Sequence, residues 1–443
     1  MNNARFKEFA KYTSFNVAAM LGVSVYILAD TFFIALDMGA YGLAALNFSI
    51  PIYGLMFGIG FMLGIGGATR HTILSGRGDK EGAQNFFCTT LVLGAGLSAA
   101  LIVGGVFFAE DIGRMFGAEG LVLVMTAEYL RVVMIFAPAY LLLYILVCFA
   151  RNSGAPGLAM VATAGNSMLN ILLDWVMISI LGWGMFGAAL ATGVSHSIGV
   201  IVISRHFIKN SKFSLKLNLR QWRATALSNT KGILATGIPT FVANTSIGVT
   251  VAVFNVIIFG FAGNIGVAAY SVIVNILFVV VSIFDGIAQG IQPLISHYYS
   301  IRDGQASRTI LRYALITMVL ISSVIYSSIF FGAEAIVEVF NSEGDGLFQS
   351  LAITGIRVYF SGIVMAGFNI IMAIYFTSVD NPRPAQVISV LRGLVIMIPL
   401  ALLLSHILGL LGVWLTFPAA EFIVAGVAIF FFSEMQASAK NQA

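Results

Sequence analysis

Three polar residues recur at four-residue intervals in an otherwise apolar stretch of the chain: Asn166, Asn170 and Asp174. On a helix, this spacing places all three on one face. A carboxylate in hydrocarbon is expensive unless it is paired or hydrated, so Asp174 is a candidate functional group. The alternative is ordinary hydrogen bonding between helices by the two amides, with an incidental Asp. We expect the stripe to face a cleft or a bundle interior.

A second carboxylate, Asp30, follows the long apolar run 17–29, while Asp37 lies just beyond it and should meet water. Asp30 itself could also be a helix-end carboxylate that reaches water. If Asp30 and Asp174 meet in a dry bundle, one must hold a proton or both must share a cation. Thr192 could add a hydroxyl oxygen, although a membrane Thr often bonds its own preceding turn. The predicted coupling site, for H+ or Na+, consists of Asp30, Asn170, Asp174 and Thr192.

Other polar residues interrupt apolar stretches, and each has a structural alternative. The predicted eighth helix carries Asp285, Gln289 and Gln292. These side chains could line a substrate path or pack against neighbouring helices. Glu421, after the Phe417-Pro418 break, could attract a cationic substrate or bond a neighbouring helix. His196 could relay protons or be a hydrogen-bonded core histidine. The candidates for the substrate path are Asn166, His196, Asp285, Gln289, Gln292 and Glu421.

Composition identifies the elements that must position these groups. Apolar residues make up 59% of the 443 residues and charged residues only 9%, with a mean hydropathy of +0.96. Spans of about 20 residues recur along the chain, so its length accommodates roughly twelve transmembrane helices. The alternation typical of a membrane barrel is absent. Cys88 and Cys148 fall in different apolar runs and indicate neither a disulfide nor a metal site. We therefore predict an all-α polytopic membrane protein.

Charge predicts its orientation. Lys and Arg cluster in every second connection, from Arg5 and Lys7 onward, while the intervening connections are acidic or uncharged. By the positive-inside rule, the basic connections and both termini face the cytoplasm. The sequence pI of about 9.0 is explained by these connections and does not indicate nucleic-acid binding. No obligate protein partner is indicated; the lipid bilayer is the expected surrounding.

An internal repeat divides the chain. Gly42-Leu-Ala-Ala45 is echoed by Gly266-Val-Ala-Ala269, and the same offset carries Asp79 onto Asp303. We expect two pseudo-symmetric six-helix bundles, an amino-terminal lobe 1–215 and a carboxy-terminal lobe 216–443, with a cleft between them suited to alternating access. The second half lacks the carboxylates: Phe254 stands opposite Asp30, and Leu402 falls near the place of Asp174. Coupling should therefore be asymmetric.

The chain resembles the multidrug and toxic compound extrusion (MATE) family over essentially its whole length. The motifs are Ala29-Asp30-Thr31, Gly42-Leu-Ala-Ala45, Gly76-Arg-Gly-Asp79 and Gly286-Ile-Ala-Gln-Gly-Ile-Gln-Pro293. The resemblance implies twelve helices in two lobes and efflux of amphipathic or cationic drugs, coupled to H+ or Na+ entry, in a bacterial or archaeal cytoplasmic membrane. It also matches Asp30, Asn170, Asp174 and Thr192 to the family's amino-lobe cation site. The sequence departs from the family's pattern at two places. Many relatives carry a Pro in the first helix and some an acidic residue in the seventh, and this sequence has neither.

Other functions fit less well. A flippase for lipid-linked saccharides would need cationic groups in its cleft for pyrophosphate, and Arg131, Arg357 and Arg392 can all be placed near helix ends. A membrane-embedded enzyme would need a metal or nucleophile motif, which the sequence lacks. No phosphate-binding loop for ATP is present either, so we expect no cofactor and an ion gradient as the energy source. Polar residues on few helices also disfavour a channel.

Overall fold

The structure is a computed structural model that describes residues 2–209, 219–341 and 345–441. Every regular secondary-structure element in these ranges is helical, and no strand occurs there. This confirms the predicted all-α fold. The predicted lobe boundary between 215 and 216 lies outside the described residues, so its position stays a prediction.

Twelve helical spans follow one another along the described chain. Ten helices are long and apolar enough to cross a bilayer, and a bent pair makes eleven. One of the ten, Trp222–Ser300, turns at Gly263 and therefore counts twice. In chain order, the spans are α1 Ala4–Gly39, α2 Tyr41–Gly76, α3 Lys80–Met115, α4 Gly120–Ile135 with Ala137–Asn152, α5 Pro156–Ile180, α6 Gly184–Lys209, α7 222–262, α8 264–300, α9 Gly304–Phe340, α10 Gly346–Ser378, α11 Pro382–Leu408 and α12 Leu410–Asn441.

The second six spans repeat the local geometry of the first six. Gly39 between α1 and α2 has φ 57° and ψ −143°, and Gly263 between α7 and α8 has φ 55° and ψ −148°. Only glycine adopts this conformation cheaply, so each turn is encoded by one residue. Asp79 and Asp303 cap α3 and α9 by accepting hydrogen bonds of 2.8 Å from backbone amides. The repeat in the sequence is thus a repeat of turns and caps.

Large apolar side chains cover the outside of the helices. Phe107 on α3, Phe331 on α9 and Phe430 on α12 are 71%, 81% and 62% exposed. Such a surface would aggregate in water, whereas it is the ordinary lipid-facing surface of a membrane helix. The chain is therefore a multi-pass membrane protein.

Polar contacts join the two halves at the end that carries the basic connections. Arg5 pairs with Asp303 at 2.9 Å and Arg70 with Asp380 at 2.6 Å. Deeper in, the Asn152 amide donates to Gln292 Oε1 at 2.8 Å, which ties α4 to α8. We call this set of contacts, together with those of Arg151 described below, the clasp. It holds the two halves together at this end.

Candidate functional site

The predicted coupling residues lie together in the interior of the amino-terminal half. Asp30 comes from α1, Asn170 and Asp174 from α5, and Thr192 from α6. All four are buried, and Asp174 and Asn170 have no exposed surface. Asp30 and Asp174 are close enough for their charges to interact, and both interact with Tyr129 of α4. Three helices thus bring two carboxylates into one dry region.

Hydrogen bonding in this cluster is incomplete. The Asn170 amide nitrogen donates to the Thr192 hydroxyl at 3.2 Å, which turns the amide oxygen away from Thr192. That oxygen, one oxygen of Asp30 and both oxygens of Asp174 are buried without a partner in the described part of the chain. Buried polar atoms are nearly always satisfied, so four unpartnered oxygens need an explanation. A proton or a small hard cation would satisfy them.

A local irregularity follows Asp174. The six residues Trp175–Ile180 form a π-helical turn directly after it. Such turns release backbone hydrogen bonds from the regular pattern and often occur at functional sites. Asn166 lies on the same buried stripe two turns earlier, and its amide oxygen is also unpartnered among the described residues. The stripe predicted from four-residue spacing therefore faces the interior.

His196 lies beside this cluster but is firmly held. Its Nδ1 is 2.7 Å from the backbone oxygen of Thr192, and its ring stacks on Tyr140 with the centroids 4.3 Å apart. Its side chain is fully buried. Its other ring nitrogen, Nε2, is buried without a hydrogen-bond partner in the described part of the chain, so both interpretations of His196, a proton relay and a hydrogen-bonded core residue, stay predictions.

A separate cavity opens in the carboxy-terminal half. It has a volume of about 120 Å³, and residues of α7, α8, α10, α11 and α12 line it, with Ile65 from α2. Most of the wall is apolar, and its charged residues are Asp285, Arg392 and Glu421. Large apolar pockets with a few polar groups are the usual form of a small-molecule site.

The predicted substrate-path residues divide between this cavity and other places. Asp285, Gln289 and Glu421 line the cavity. Gln292 does not; it belongs to the clasp, where its amide donates to Thr69 at 2.8 Å. Asn166 and His196 belong to the amino-terminal half and are also absent from the lining.

Glu421 is fully engaged within the protein, whereas Asp285 is not. One carboxylate oxygen of Glu421 accepts from Arg392 Nε at 2.5 Å, and the other accepts from the Asn369 amide at 2.7 Å. Asp285 interacts with the charge of Arg392, but within the described ranges nothing donates a hydrogen bond to it. Asp285 is therefore the carboxylate that remains available to a ligand.

One placement made from the sequence is wrong. Arg392 does not lie near a helix end: it lies in the middle part of the 27-residue span α11 and on the cavity wall. Its charge is tolerated there because Glu421 neutralises it. Counting residues inward from Pro382 would have revealed the depth of Arg392.

Two residues with buried polar contacts were not predicted from the sequence. Asn369 is the second hydrogen-bond partner of Glu421. Arg151 is 2% exposed and bonds Asn16 and Gln289.

Twelve apolar helices, a buried carboxylate cluster and an internal cavity together have the architecture of a helical membrane transporter. Comparison with known proteins gives the family. The MatE family model matches residues 17–176 and again residues 239–403. The chain belongs to the MatE family, and the double match agrees with the repeated turns and caps.

Individual relatives are similar over nearly the whole chain. The multidrug export protein MepA of Staphylococcus saprophyticus is 27% identical over 418 residues, covering 94% of this chain and 91% of the relative. An outward-facing multidrug resistance MATE transporter of the MOP superfamily superposes with a TM-score of 0.90 at 23% identity, over 99% of this chain and 97% of that one. A MOP superfamily transporter from Pyrococcus furiosus, described as having a binding pocket of reverse polarity that suggests a different function, superposes with a TM-score of 0.89 at 23% identity. The match covers 98% of this chain and 96% of that one.

Proposed function

We propose that this protein is a secondary active exporter that exchanges amphipathic, cationic compounds for H+ or Na+ by alternating access. The observation that carries the proposal is the buried pair Asp30 and Asp174, three of whose four carboxylate oxygens lack partners among the described residues. A carboxylate pair in a dry interior gains stability when it takes up a cation or a proton. Filling and emptying this site would bias the protein between its two openings.

The set of oxygens suits either ion. Two carboxylates, the Asn170 amide and the Thr192 hydroxyl supply hard oxygen ligands of the kind Na+ accepts. The same carboxylates could instead hold a proton, because two negative charges brought together repel each other. Among the described residues, His, Cys, Asp and Glu form no group of three or more that could hold a metal ion. The site proposed here differs from such a group because it uses amide and hydroxyl oxygens.

The cavity supports a lipophilic cation as substrate. Its wall is mainly apolar, and Asp285 is a carboxylate without a hydrogen-bond donor in the described part of the chain. A flat hydrophobic body would pack on the wall while its positive group approaches Asp285. MepA of Staphylococcus saprophyticus is named a multidrug export protein, which agrees with this substrate class.

The orientation follows from the charged connections. We place both termini and the clasp on the cytoplasmic side of a bacterial or archaeal cell membrane, because the basic connections lie there. On this placement, the clasp holds the two halves together at the cytoplasmic end. The flippase alternative is disfavoured, because Arg392 is the one Lys or Arg among the residues lining the cavity. Pyrophosphate would need more positive charge.

Transport in proteoliposomes under separate gradients tests this proposal. Purified protein is reconstituted without nucleotide, a proton or a sodium gradient is imposed alone, and movement of ethidium is followed by fluorescence. We expect movement under one of the two gradients and none without a gradient. Movement that strictly requires ATP, or that neither gradient drives, would contradict the proposal.

A further inference from the structure

Arg392 is held rigidly at the cavity wall. It lies in the π-helical turn Leu391–Val395 of α11, and the next residue, Gly393, packs against α7. A Cβ atom at Gly393 would lie 2.3 Å from Ser246 Oγ, so only glycine allows this approach. The Thr250 hydroxyl donates to the Gly393 carbonyl at 3.1 Å and fixes the same point. The backbone that carries Arg392 is therefore anchored to α7 at two points.

The guanidinium is only partly used by the protein. Its Nε donates to Glu421, and Asn369 holds the other carboxylate oxygen of Glu421 in place. The two terminal nitrogens of Arg392 have no hydrogen-bond partner within the described residues, and the side chain is 18% exposed. An arginine has five N–H donors in a planar fork suited to carboxylates. Four of them remain for a ligand in the cavity.

A purely structural role explains this arrangement poorly. A buried ion pair contributes little net stability compared with apolar side chains of similar size. A pocket for simple cations would also gain nothing from a positive charge in its wall, because that charge repels the ligand. Arg392 and Asp285 both line the cavity, so one small molecule bound there can meet both charges. The cavity thus presents a negative and a positive group to the same ligand.

We propose that Arg392 forms an anion-binding subsite of the cavity, which with Asp285 selects amphiphiles that carry both an ammonium group and a carboxylate. This inference rests on the proposed function, since it names the substrate class of the same cavity. The ligand's ammonium group faces Asp285 and its carboxylate accepts from the terminal nitrogens of Arg392. Glu421 and Asn369 are positioning residues that hold the guanidinium toward the ligand.

A matched pair of dyes tests the subsite. Rhodamine B is a zwitterion with a free carboxylate and a positive charge shared by two diethylamino groups, which stand in for the ammonium group. Its ethyl ester is a cation on the same scaffold. Binding of each dye to purified protein in detergent is measured by fluorescence polarisation. We expect Arg392→Gln to weaken rhodamine B binding about tenfold or more, as for a lost charge-assisted hydrogen bond, and to leave the ester within about threefold. Arg392→Lys should retain part of the rhodamine B affinity.

Two further variants keep the test independent of folding. Arg392→Gln leaves Glu421 charged and unpaired, so the double variant Arg392→Gln/Glu421→Gln is measured beside it, with a thermal melt of each. The double variant should show the same selective loss of rhodamine B. Arg357→Gln, which removes an arginine bonded to Glu334 on another surface, should change neither dye.

The outcomes separate the subsite from the proposed function. If both dyes bind the wild-type protein but both Arg392 variants bind rhodamine B normally, the anion subsite is refuted and the cation exporter stands. If neither dye binds the wild-type protein, the subsite is refuted, and gradient-driven transport of ethidium decides the exporter separately. Equal weakening of the two dyes would assign Arg392 to the structure of the cavity and overturn the subsite.

Discussion

The two halves of the protein share one order of helices and turns but treat buried charge in opposite ways. In the amino-terminal half, Asp30 and Asp174 are buried together and, among the described residues, no hydrogen bond reaches three of their four carboxylate oxygens. In the carboxy-terminal half, Glu421 is buried just as deeply, yet Arg392 and Asn369 occupy both of its oxygens. Within the described residues, no Lys or Arg pairs with the carboxylates Asp30 and Asp174, whereas Glu421 has Arg392 as its partner.

This difference assigns separate tasks to the halves. A carboxylate cluster without an internal cation responds to ions from solution, which is the property that coupling requires. A carboxylate with a permanent arginine partner responds little to ions and instead shapes the wall of a cavity. This difference supports the proposal that coupling belongs to the amino-terminal half and ligand selection to the carboxy-terminal half.

The largest expected effect comes from neutralising the amino-terminal pair. Asp174→Asn, and separately Asp30→Asn, should reduce gradient-driven ethidium transport in proteoliposomes to background, because the charge that takes up the ion is gone. Membrane insertion and yield should be unchanged. The matched control is Asp37→Asn, the same substitution at an exposed position on α1. Normal transport by Asp174→Asn would abolish the assignment of coupling to this half.

Breaking the carboxy-terminal pair should have a strong effect of another kind, on stability. Removing one member of a buried ion pair costs about 3–5 kcal/mol, since the other charge is left without a partner. Arg392→Gln should therefore lower the melting temperature in detergent more than the double variant Arg392→Gln/Glu421→Gln does. If the single variant melted at or above the double variant, Glu421 would not depend on Arg392, and the contrast between the halves would be lost.

A smaller effect should follow from removing one neutral ligand of the amino-terminal cluster. Thr192→Val keeps the shape of the side chain but removes the hydroxyl that accepts from Asn170 at 3.2 Å. We expect the ion concentration for half-maximal transport to rise about fivefold to tenfold, the cost of one hydrogen bond of about 1 kcal/mol or slightly more. Thr192→Ser keeps the hydroxyl and serves as the control. An equal shift in both variants would show that packing, and not the oxygen, matters at this position.

Much of the fold and part of the site could be predicted from the sequence. Long apolar runs and charged connections are local signals, so the spans and the repeat can be predicted from the sequence. The polar stripe that ends at Asp174 is also buried as predicted. The depth of Arg392 was missed because an apolar stretch does not reveal where the membrane interior begins. The partnership of Glu421 with Asn369 was also hidden, since it depends on how α10 packs against α12, which no local pattern encodes.

Arg151, behind the floor of the cavity, has a consequence for leakage. Its guanidinium is buried in the clasp, and its described hydrogen-bond partners, Asn16, Gln289 and Cys148, are all uncharged. Gln289, which accepts a hydrogen bond from Arg151, also lines the cavity. The positive charge of Arg151 is therefore separated from the cavity by the side chain of Gln289. Such a charge repels small cations electrostatically, as arginines do in selective pores. We therefore expect two effects to oppose the leakage of cations through the clasp. One is the close packing of the side chains, and the other is electrostatic repulsion by Arg151.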